Sequence, residues 1–432
     1  MARSINQQPM NMVCLRTLDH QHPASLSTYL KIGGYKVWQK IIKERPDPKQ
    51  LLSEVKTSLL KGRGGAGFIA GLKMGFIAPN SQHPRYLICN SDEGEPGTCK
   101  DTLIMRYNPH QLLEGILIAC YIQGMDVCYN YIRGEYQVQF DACELALQEA
   151  HAKGFVGQRI LNSDLSIDVH HLLGAGSYIV GEESAMLESI EGRPAKPRSR
   201  PPFPAVSGLY GHPTTVNNTE TLASLPVILE KGSQWFLDIG CENSGGSKIF
   251  CVSGHVKTPG TFELPLGVPF KKLLSLAGGM RSTAKLKAVI PGGSSMRVLP
   301  AKKILPLHMD YDSLAKAGSS IGTGGVIVMD ENTCMVKTLA CISRFYKHES
   351  CGQCTPCREG TGWVVKILDK IISGHASLAD LELLRHVVCA AEGRTICAFG
   401  EAFSWPVQSF LDHFYDEFDY FVRHKKSMVE SS

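Results

Sequence analysis

Three cysteines crowd into seven residues at Cys351-Gly-Gln-Cys354-Thr-Pro-Cys357, and no other feature restricts the fold as tightly. Thiols at C-x2-C-x2-C spacing can converge on one inorganic centre, as thiolates do around the iron of iron–sulfur clusters. The chain must therefore bring a fourth ligand to this loop. Two downstream cysteines compete for the place. Cys389 lies in LRHVVCAA, on the apolar face of a helical pattern, and Cys397 lies in GRTICAFG, at a turn flanked by glycine. A turn aims a sulfur more freely than a packed helix face does, so Cys397 is the fourth-ligand candidate. Zinc also takes four thiolates, but its usual signature is two separated CxxC pairs, which this chain lacks. Three clustered cysteines and one distant one favour an iron–sulfur cube. The remaining cysteines, of 15 in all, are expected to be buried small hydrophobes.

The chain has 432 residues, 43% of them hydrophobic, which is enough for several domains. A net charge of +4, with no single basic stripe, gives no case for nucleic-acid binding. The opening MARSINQQPMNMV has neither the apolar run of a signal peptide nor the Arg-rich character of a transit peptide. No run of roughly eighteen apolar residues occurs, so no transmembrane helix and no direct membrane insertion are expected. The expected setting is a reducing cytoplasm, where cysteines stay thiols or bind metal.

Periodicity divides the chain. Helical patterns cover Tyr29 to Ile42, Gln50 to Lys61, Asn108 to Gly124 and Gln137 to Ala152, with short strands at Tyr86 to Asn90 and Asp126 to Tyr131. That alternation predicts an α/β layer with a largely parallel sheet. The Pro-rich stretch Arg193 to Pro213 reads as a long loop or linker. Beyond Gly240 come strands at Lys248 to Ser253, Thr261 to Leu264 and Ala288 to Ile290, and a short helix at Pro269 to Ala277. This predicts a small α+β module. From Asn332 to about His424 the period is helical, which predicts a bundle.

Two glycine loops and an acidic loop carry the remaining chemistry. In KGRGGAGF, Gly62, Gly64 and Gly67 fit G-x-G-x-x-G, with Gly65 between them. The preceding SEVKTSLLK is helical in pattern, so the strand that an ordinary dinucleotide fingerprint requires is missing. Missing side chains still let backbone N–H groups approach a phosphate or a flat ring, and Lys73 lies close enough in sequence to neutralise a phosphate. After YLICN, the loop Ser91-Asp92-Glu93-Gly94-Glu95 sets three carboxylates at a strand C-terminus, where open α/β sheets bind ligands. Such a loop suits hydroxyls or a carboxamide; a solvated acidic turn is the plain alternative. The second loop runs from Gly174 through Tyr178 and Gly181 to Glu182 and Glu183. The segment Thr215 to Thr221 then offers amides and hydroxyls, matching either a flavin edge or a helix cap. Phe68, Phe76 and Phe203 beside these loops could sandwich an adenine, although ordinary packing explains any single Phe.

Together, GRGGAGF, NSDEGEPGTCKD, GSYIVGEESA, PRSRPPFPAVSGLYGHPTTVNN and SCGQCTPCREG…TICAFG resemble the bacterial-type FMN- and NADH-binding flavoprotein subunits of respiratory complex I. The resemblance implies a Rossmann-like FMN domain over 1–238 and a ubiquitin-like α+β middle domain, a soluble-ligand-binding β-grasp, over 239–330. It implies a C-terminal four-helix bundle over 331–432 holding a [4Fe–4S] cluster. By motif it puts FMN on Gly62, Gly64, Lys73, Asn90, Asp92, Gly181, Glu182, Val216, Asn217, Asn218 and Thr221. NADH falls on Phe68, Phe76, Glu95, Glu183, Arg200 and Phe203, with Gly65, Gly67, Glu93 and Tyr178 in the same cofactor-binding motifs. The cluster ligands are Cys351, Cys354, Cys357 and Cys397.

The implied reaction is hydride transfer from NADH to FMN, without an essential side-chain acid or base, Glu95 and Glu183 positioning the nicotinamide and disfavouring NADPH. Single electrons would pass to the cluster and on towards quinone. Implied partners are the other hydrophilic-arm subunits, especially a thioredoxin-like [2Fe–2S] subunit and a large iron–sulfur subunit, at the cytoplasmic face of an inner-membrane complex. A diaphorase subunit of a soluble NAD-linked hydrogenase or formate dehydrogenase shares every motif. A zinc-stabilised scaffold without turnover is the reading from another class. Cys99 stands where the pattern usually has Phe, Val180 where Cys is common, and Ile69-Ala70 where Pro-Thr is frequent.

Overall fold

A computed structural model describes residues 10–78 and 81–429. The opening segment discussed above lies, up to residue 9, outside the described residues.

Four strands form the first sheet: β1 (Tyr86–Ser91), β2 (Val127–Ile132), β3 (Asp168–Leu173) and β4 (Thr214–Asn218), in the order β3-β2-β1-β4. Every pairing is parallel. In register, Asn90 of β1 lies beside Asn218 of β4, so two polar strand ends open at the same edge. The two faces differ. Ile88 and Val216 join Tyr131, Val180 and Leu209 in a small apolar cluster, whereas Leu87, Cys89 and Cys128 enter the largest core. Onto that core packs the helix Pro109–Gln123, opened by Asn-Pro as the sequence predicts and buried almost all round.

The expected helix Tyr29 to Ile42 is instead two, Leu26–Lys31 and Lys36–Glu44. The chain folds back on itself at Gly34, whose N–H donates to Tyr29 O at 2.8 Å; a Cβ there would stand 2.2 Å from the Tyr29 ring. Glu114, from the buried helix, caps the second piece by accepting from Tyr35 N (2.9 Å) and Trp38 N (3.1 Å).

The second sheet joins β5 (Ser247–Gly254), β6 (Gly260–Pro265), β8 (Leu286–Ile290), β9 (Leu299–Pro300) and β11 (Gly325–Asp330), ordered β6-β5-β11-β8-β9. A small pair, β7 (Val268–Pro269) and β10 (His308–Met309), lies apart from it. The helix Phe270–Leu276 covers this mixed sheet through Phe270 and Leu273. Four helices complete the chain, Met335–Glu349, Thr355–Ile372, Leu378–Ala391 and Phe399–His424, packed around Leu339, Leu368, Leu384 and Phe410. Two of the cysteines expected to be buried, Cys341 and Cys389, lie exposed on these helices, and Cys99 is exposed in the acidic loop. A cysteine on an outward helix face costs the bundle nothing, so its small apolar side chain is no guide to burial there.

Candidate functional site

The acidic loop after β1 is not a solvated turn. Asp92 and Glu93 are buried, and each carboxylate has its own environment. Glu93 accepts from the backbone N–H groups of Lys100 (2.7 Å), Asp101 (2.9 Å) and Thr102 (3.1 Å), so it caps the helix Asp101–Tyr107 and anchors the loop. Glu95 accepts from Tyr178 Oη at 2.7 Å and Ser295 N at 2.8 Å, the latter from the loop after β8. The middle module therefore builds part of the site. Gly293 makes this approach possible: its φ is +99°, and a Cβ would meet Glu95 Cγ at 2.5 Å. Asp92 differs from both. Its Oδ2 is buried with no hydrogen-bond partner, and burial pushes the carboxyl up to about 7.

Beside it, Asn90 donates from Nδ2 to Gly181 O at 2.9 Å and accepts from Asp92 N at 3.2 Å. Asn218 caps the helix Thr219–Lys231 through Glu220 N (3.0 Å), donates to Asp101 Oδ2 (2.7 Å) and accepts from Lys100 Nζ (3.0 Å). Asn218 is thus a helix cap that also lines a cleft. Asn217 Nδ2 is buried without a partner, Val216 packs in the apolar cluster beneath, and Thr221 Oγ1 accepts from Arg63 N at 2.9 Å. That last bond pins the first glycine loop. Gly62 N donates to Phe68 O at 2.6 Å to close the loop, and a Cβ on Gly64 would point at Asn218 from 3.4 Å. The loop follows the helix Pro48–Thr57 rather than a strand, as the sequence indicates.

Sequence reasoning missed Lys100. It is buried, with Nζ bonded to Asp101 Oδ1 (2.6 Å) and Asn218 Oδ1 and 3.2 Å from Glu220 Oε2. Lys248 of β5 adds a second buried cation on Glu220 at 2.6 Å. Burial opposes the charge on Lys100, yet Asp101, Glu220 and Glu93 raise its pKa. Burial likewise works against the Glu220 carboxylate, and Lys248, Lys100 and Arg63 bring it below its ordinary value. The CKD that follows the acidic loop was the available signal.

At the rim, Phe68, Phe76 and Phe203 are 49%, 58% and 57% exposed, so ordinary packing does not account for them. Phe68 and Phe76 stand 5.8 Å apart between ring centroids. Lys73 pairs with Glu183 at 2.8 Å, and Arg200 bridges Glu182 (2.7 Å) and Glu183 (2.9 Å). Glu182 also accepts from Ser184 N and Ala185 N, capping the helix Glu183–Ile190.

A cleft of about 350 Å³ takes in part of this set; Phe68, Lys73, Phe76, Glu183, Arg200, Phe203, Val216, Asn217 and Thr221 lie outside its lining. Gly64, Asn90, Asp92, Glu95, Lys100 and Asn218 line one side, and Cys397, Ala398, Phe399 and Ala402 line another. Tyr178 stands at the junction, edge-on to Phe345 (5.4 Å) and Phe399 (5.8 Å). Burial raises the Cys357 thiol to about 11, with Cys351 and Cys354 adding to it. Burial likewise raises Cys397 to about 12, and Glu182, Cys351 and Cys357 contribute. Cys354 Sγ accepts from Ile396 N at 3.3 Å. The four sulfurs therefore share one neighbourhood, whereas Cys389 faces Gln408 from the surface.

The residues fit both implied groups. A partnerless buried carboxylate oxygen, a partnerless amide and a side-chain-free loop suit a flavin's hydroxyls and ring. Four mutually close cysteine sulfurs suit a centre that takes thiolate ligands. Among the described residues no three His, Cys, Asp or Glu side chains are spaced for a single ion. A cube draws its thiolates from a wider ring.

Residues 55–227 match the Nuo51 FMN-binding domain, 249–299 the SLBB domain, and 337–420 the NADH-ubiquinone oxidoreductase-F iron-sulfur binding region. Fold and site thus define a flavin-binding, iron–sulfur oxidoreductase component. The F subunit of the NADH-quinone oxidoreductase of Rickettsia typhi is 49% identical over 371 residues, 85% of this chain and 88% of that one. A second such relative, an F subunit of the NADH-quinone oxidoreductase of Rhizobium meliloti, is 48% identical over 407 residues, 94% and 96% of the two chains. Among solved structures, a chain of an NAD+-reducing [NiFe]-hydrogenase in the H2-reduced state superposes with a TM-score of 0.81 at 37% identity. That match covers 92% of this chain and 66% of the hydrogenase chain. The chain belongs to the family of NADH-quinone oxidoreductase F subunits.

Proposed function

We propose that this protein oxidises NADH and delivers the electrons singly through Cys351, Cys354, Cys357 and Cys397 to partner subunits, towards quinone. The observation that carries this reading is the shared cleft, lined both by the polar strand ends and by Cys397. FMN held there would supply hydride acceptance from NADH, and a [4Fe–4S] cluster on the four cysteines would supply one-electron transfer. The chain's own residues position and exclude. Asp92 Oδ2 would accept from a flavin hydroxyl, Asn217 and Asn218 would supply amides to the ring, and Lys73 would exchange Glu183 for phosphate. Phe68, Phe76 and Phe203 would offer ring faces to the adenine. Glu95 and Glu183 flank the nicotinamide riboside and repel a 2′-phosphate, so NADPH is a poor donor.

The division at 1–238, 239–330 and 331–432 fits this reading, because the flavin floor, the Glu95-supporting loop and the cysteines fall in successive units. A thioredoxin-like [2Fe–2S] subunit and a large iron–sulfur subunit are the proposed acceptors, on the cytoplasmic face. No helix among the described residues is long and apolar enough to cross a membrane.

The test is an anaerobic preparation with its neighbouring subunits. Flavin bands that bleach with NADH, with about four iron and four sulfide per chain, are expected. A colourless sample with about one zinc per chain and no NADH response would overturn the reading in favour of a scaffold.

A further inference from the structure

Cys99, the departure in the acidic loop, has a partner in another module. Its N–H donates to Cys251 Sγ at 3.2 Å, and its own Sγ lies 3.4 Å from Thr261 Oγ1. Cys251 and Thr261 are directly opposed in the β5–β6 register, so the Cys99 sulfur sits over the Cys251 position. Cys99 is exposed and Cys251 buried, an arrangement that lets an oxidant reach one thiol while the other waits beside it. The segment between them and the cleft is tightly held: Thr98 Oγ1 meets Thr323 Oγ1 at 2.5 Å, and Gly97 packs against Ile327. Thr98, Lys100 and Asp101, on either side of Cys99, line the cleft.

We propose that Cys99 and Cys251 form a reversible disulfide on reaction with a hydroperoxide, tying the acidic loop to β5 and slowing turnover. The Cys99 thiolate attacks one peroxide oxygen; the O–O bond breaks, and hydroxide leaves, taking up a proton to become water. Cys99 is then a sulfenic acid. The Cys251 sulfur attacks the Cys99 sulfur; the S–O bond breaks, and the hydroxide leaves as water with the proton from Cys251. Two electrons pass from the two thiols to the peroxide. The contact with Cys251 holds the Cys99 thiol below its ordinary value, which suits the group that meets the peroxide, and raises Cys251, which keeps that sulfur a thiol until Cys99 has reacted. Bridging needs close backbones, which the contact between Cys99 N and Cys251 Sγ supplies.

The effect on turnover rests on the proposed NADH oxidation; the bridge itself does not. The holoprotein with its neighbouring subunits is treated with a slight excess of hydrogen peroxide, alkylated and digested without reductant for peptide mass analysis. The expected product is a linked pair containing Cys99 and Cys251 that dithiothreitol separates. NADH oxidation with ferricyanide should fall by about threefold or more and recover with dithiothreitol. Cys99→Ser should abolish both changes, and Cys99→Phe provides a second variant should the serine impair folding. Recovery of Cys251 as a free thiol after Cys99 has reacted would overturn the bridge. A bridge that leaves the rate unchanged would overturn the regulation.

Discussion

At the floor of the cleft, Lys100, Lys248 and Glu220 are buried and held in fixed ion pairs, with Asn218 and Asp101 completing the set. At the rim, Phe68, Phe76 and Phe203 stand half open to solvent, and Lys73, Glu183 and Arg200 form pairs that water already reaches. A resident group needs a floor that does not move, because positioning is most of what the protein contributes to cofactor chemistry. An exchanging dinucleotide needs a rim whose contacts can be made and broken in each turnover. This difference underlies our proposal that the buried set serves FMN and the exposed aromatics NADH, with Lys73 reaching the flavin phosphate from the rim.

The largest test of that division removes the floor's cation. Lys100→Met leaves Asp101, Glu220 and Glu93 without their shared partner, and a broken buried pair costs about 3–5 kcal/mol. Thermal unfolding should show a large loss of Tm with loss of flavin. A variant that keeps its Tm and its full flavin content would erase the distinction. Next comes Asp92. Burial raises its folded pKa to about 7, above the unfolded value of about 4. Between these values the folded flavin-free chain holds a proton that the unfolded chain has released, so this contribution loses stability as pH rises and levels off above about 7. Asp92→Asn should therefore stabilise the flavin-free chain by on the order of 4 kcal/mol at pH 8 and by little at pH 4, while weakening flavin retention. Denaturation midpoints across that range decide it, and a pH-independent difference would count against the buried acid.

Rim substitutions should act on KM alone. Phe203→Ala should raise the KM for NADH by about fivefold, the worth of one stacking contact, with flavin content and Tm unchanged. A falling flavin content would place Phe203 with the floor. The smallest effect is expected of Glu183→Gln, which removes one charge facing a 2′-phosphate and should raise kcat/KM for NADPH by about threefold. No change in the NADH to NADPH ratio would leave the selectivity to Glu95.

The sequence made some of this legible through strong local signals. The strand at Tyr86, the helix opened by Asn108-Pro109 and the cysteine run each announce themselves within a few residues, and the turn argument for Cys397 matches its place beside Cys354. The strands β3, DVHHLL, and β4, TTVNN, went unread because they are edge strands with polar residues, where alternation is weak. Gly33-Gly34 did not stop the predicted helix, because the clash that forbids a side chain comes from Tyr29 folding back. Lys100 went unread for a related reason. A lone lysine reads as surface, and only the fold brings Asn218 and Glu220, more than a hundred residues away, to its ammonium group.

We propose that one cleft serves both the flavin and the cysteine centre, with Cys397 as the link. The most direct test is an anaerobic NADH titration of wild type and Cys397→Ala, following flavin absorbance and the low-temperature electron paramagnetic resonance of the reduced cluster in the same samples. The account predicts that NADH bleaches the flavin in both proteins but reduces a four-iron cluster only in the wild type. An unchanged four-iron signal in the variant would contradict it.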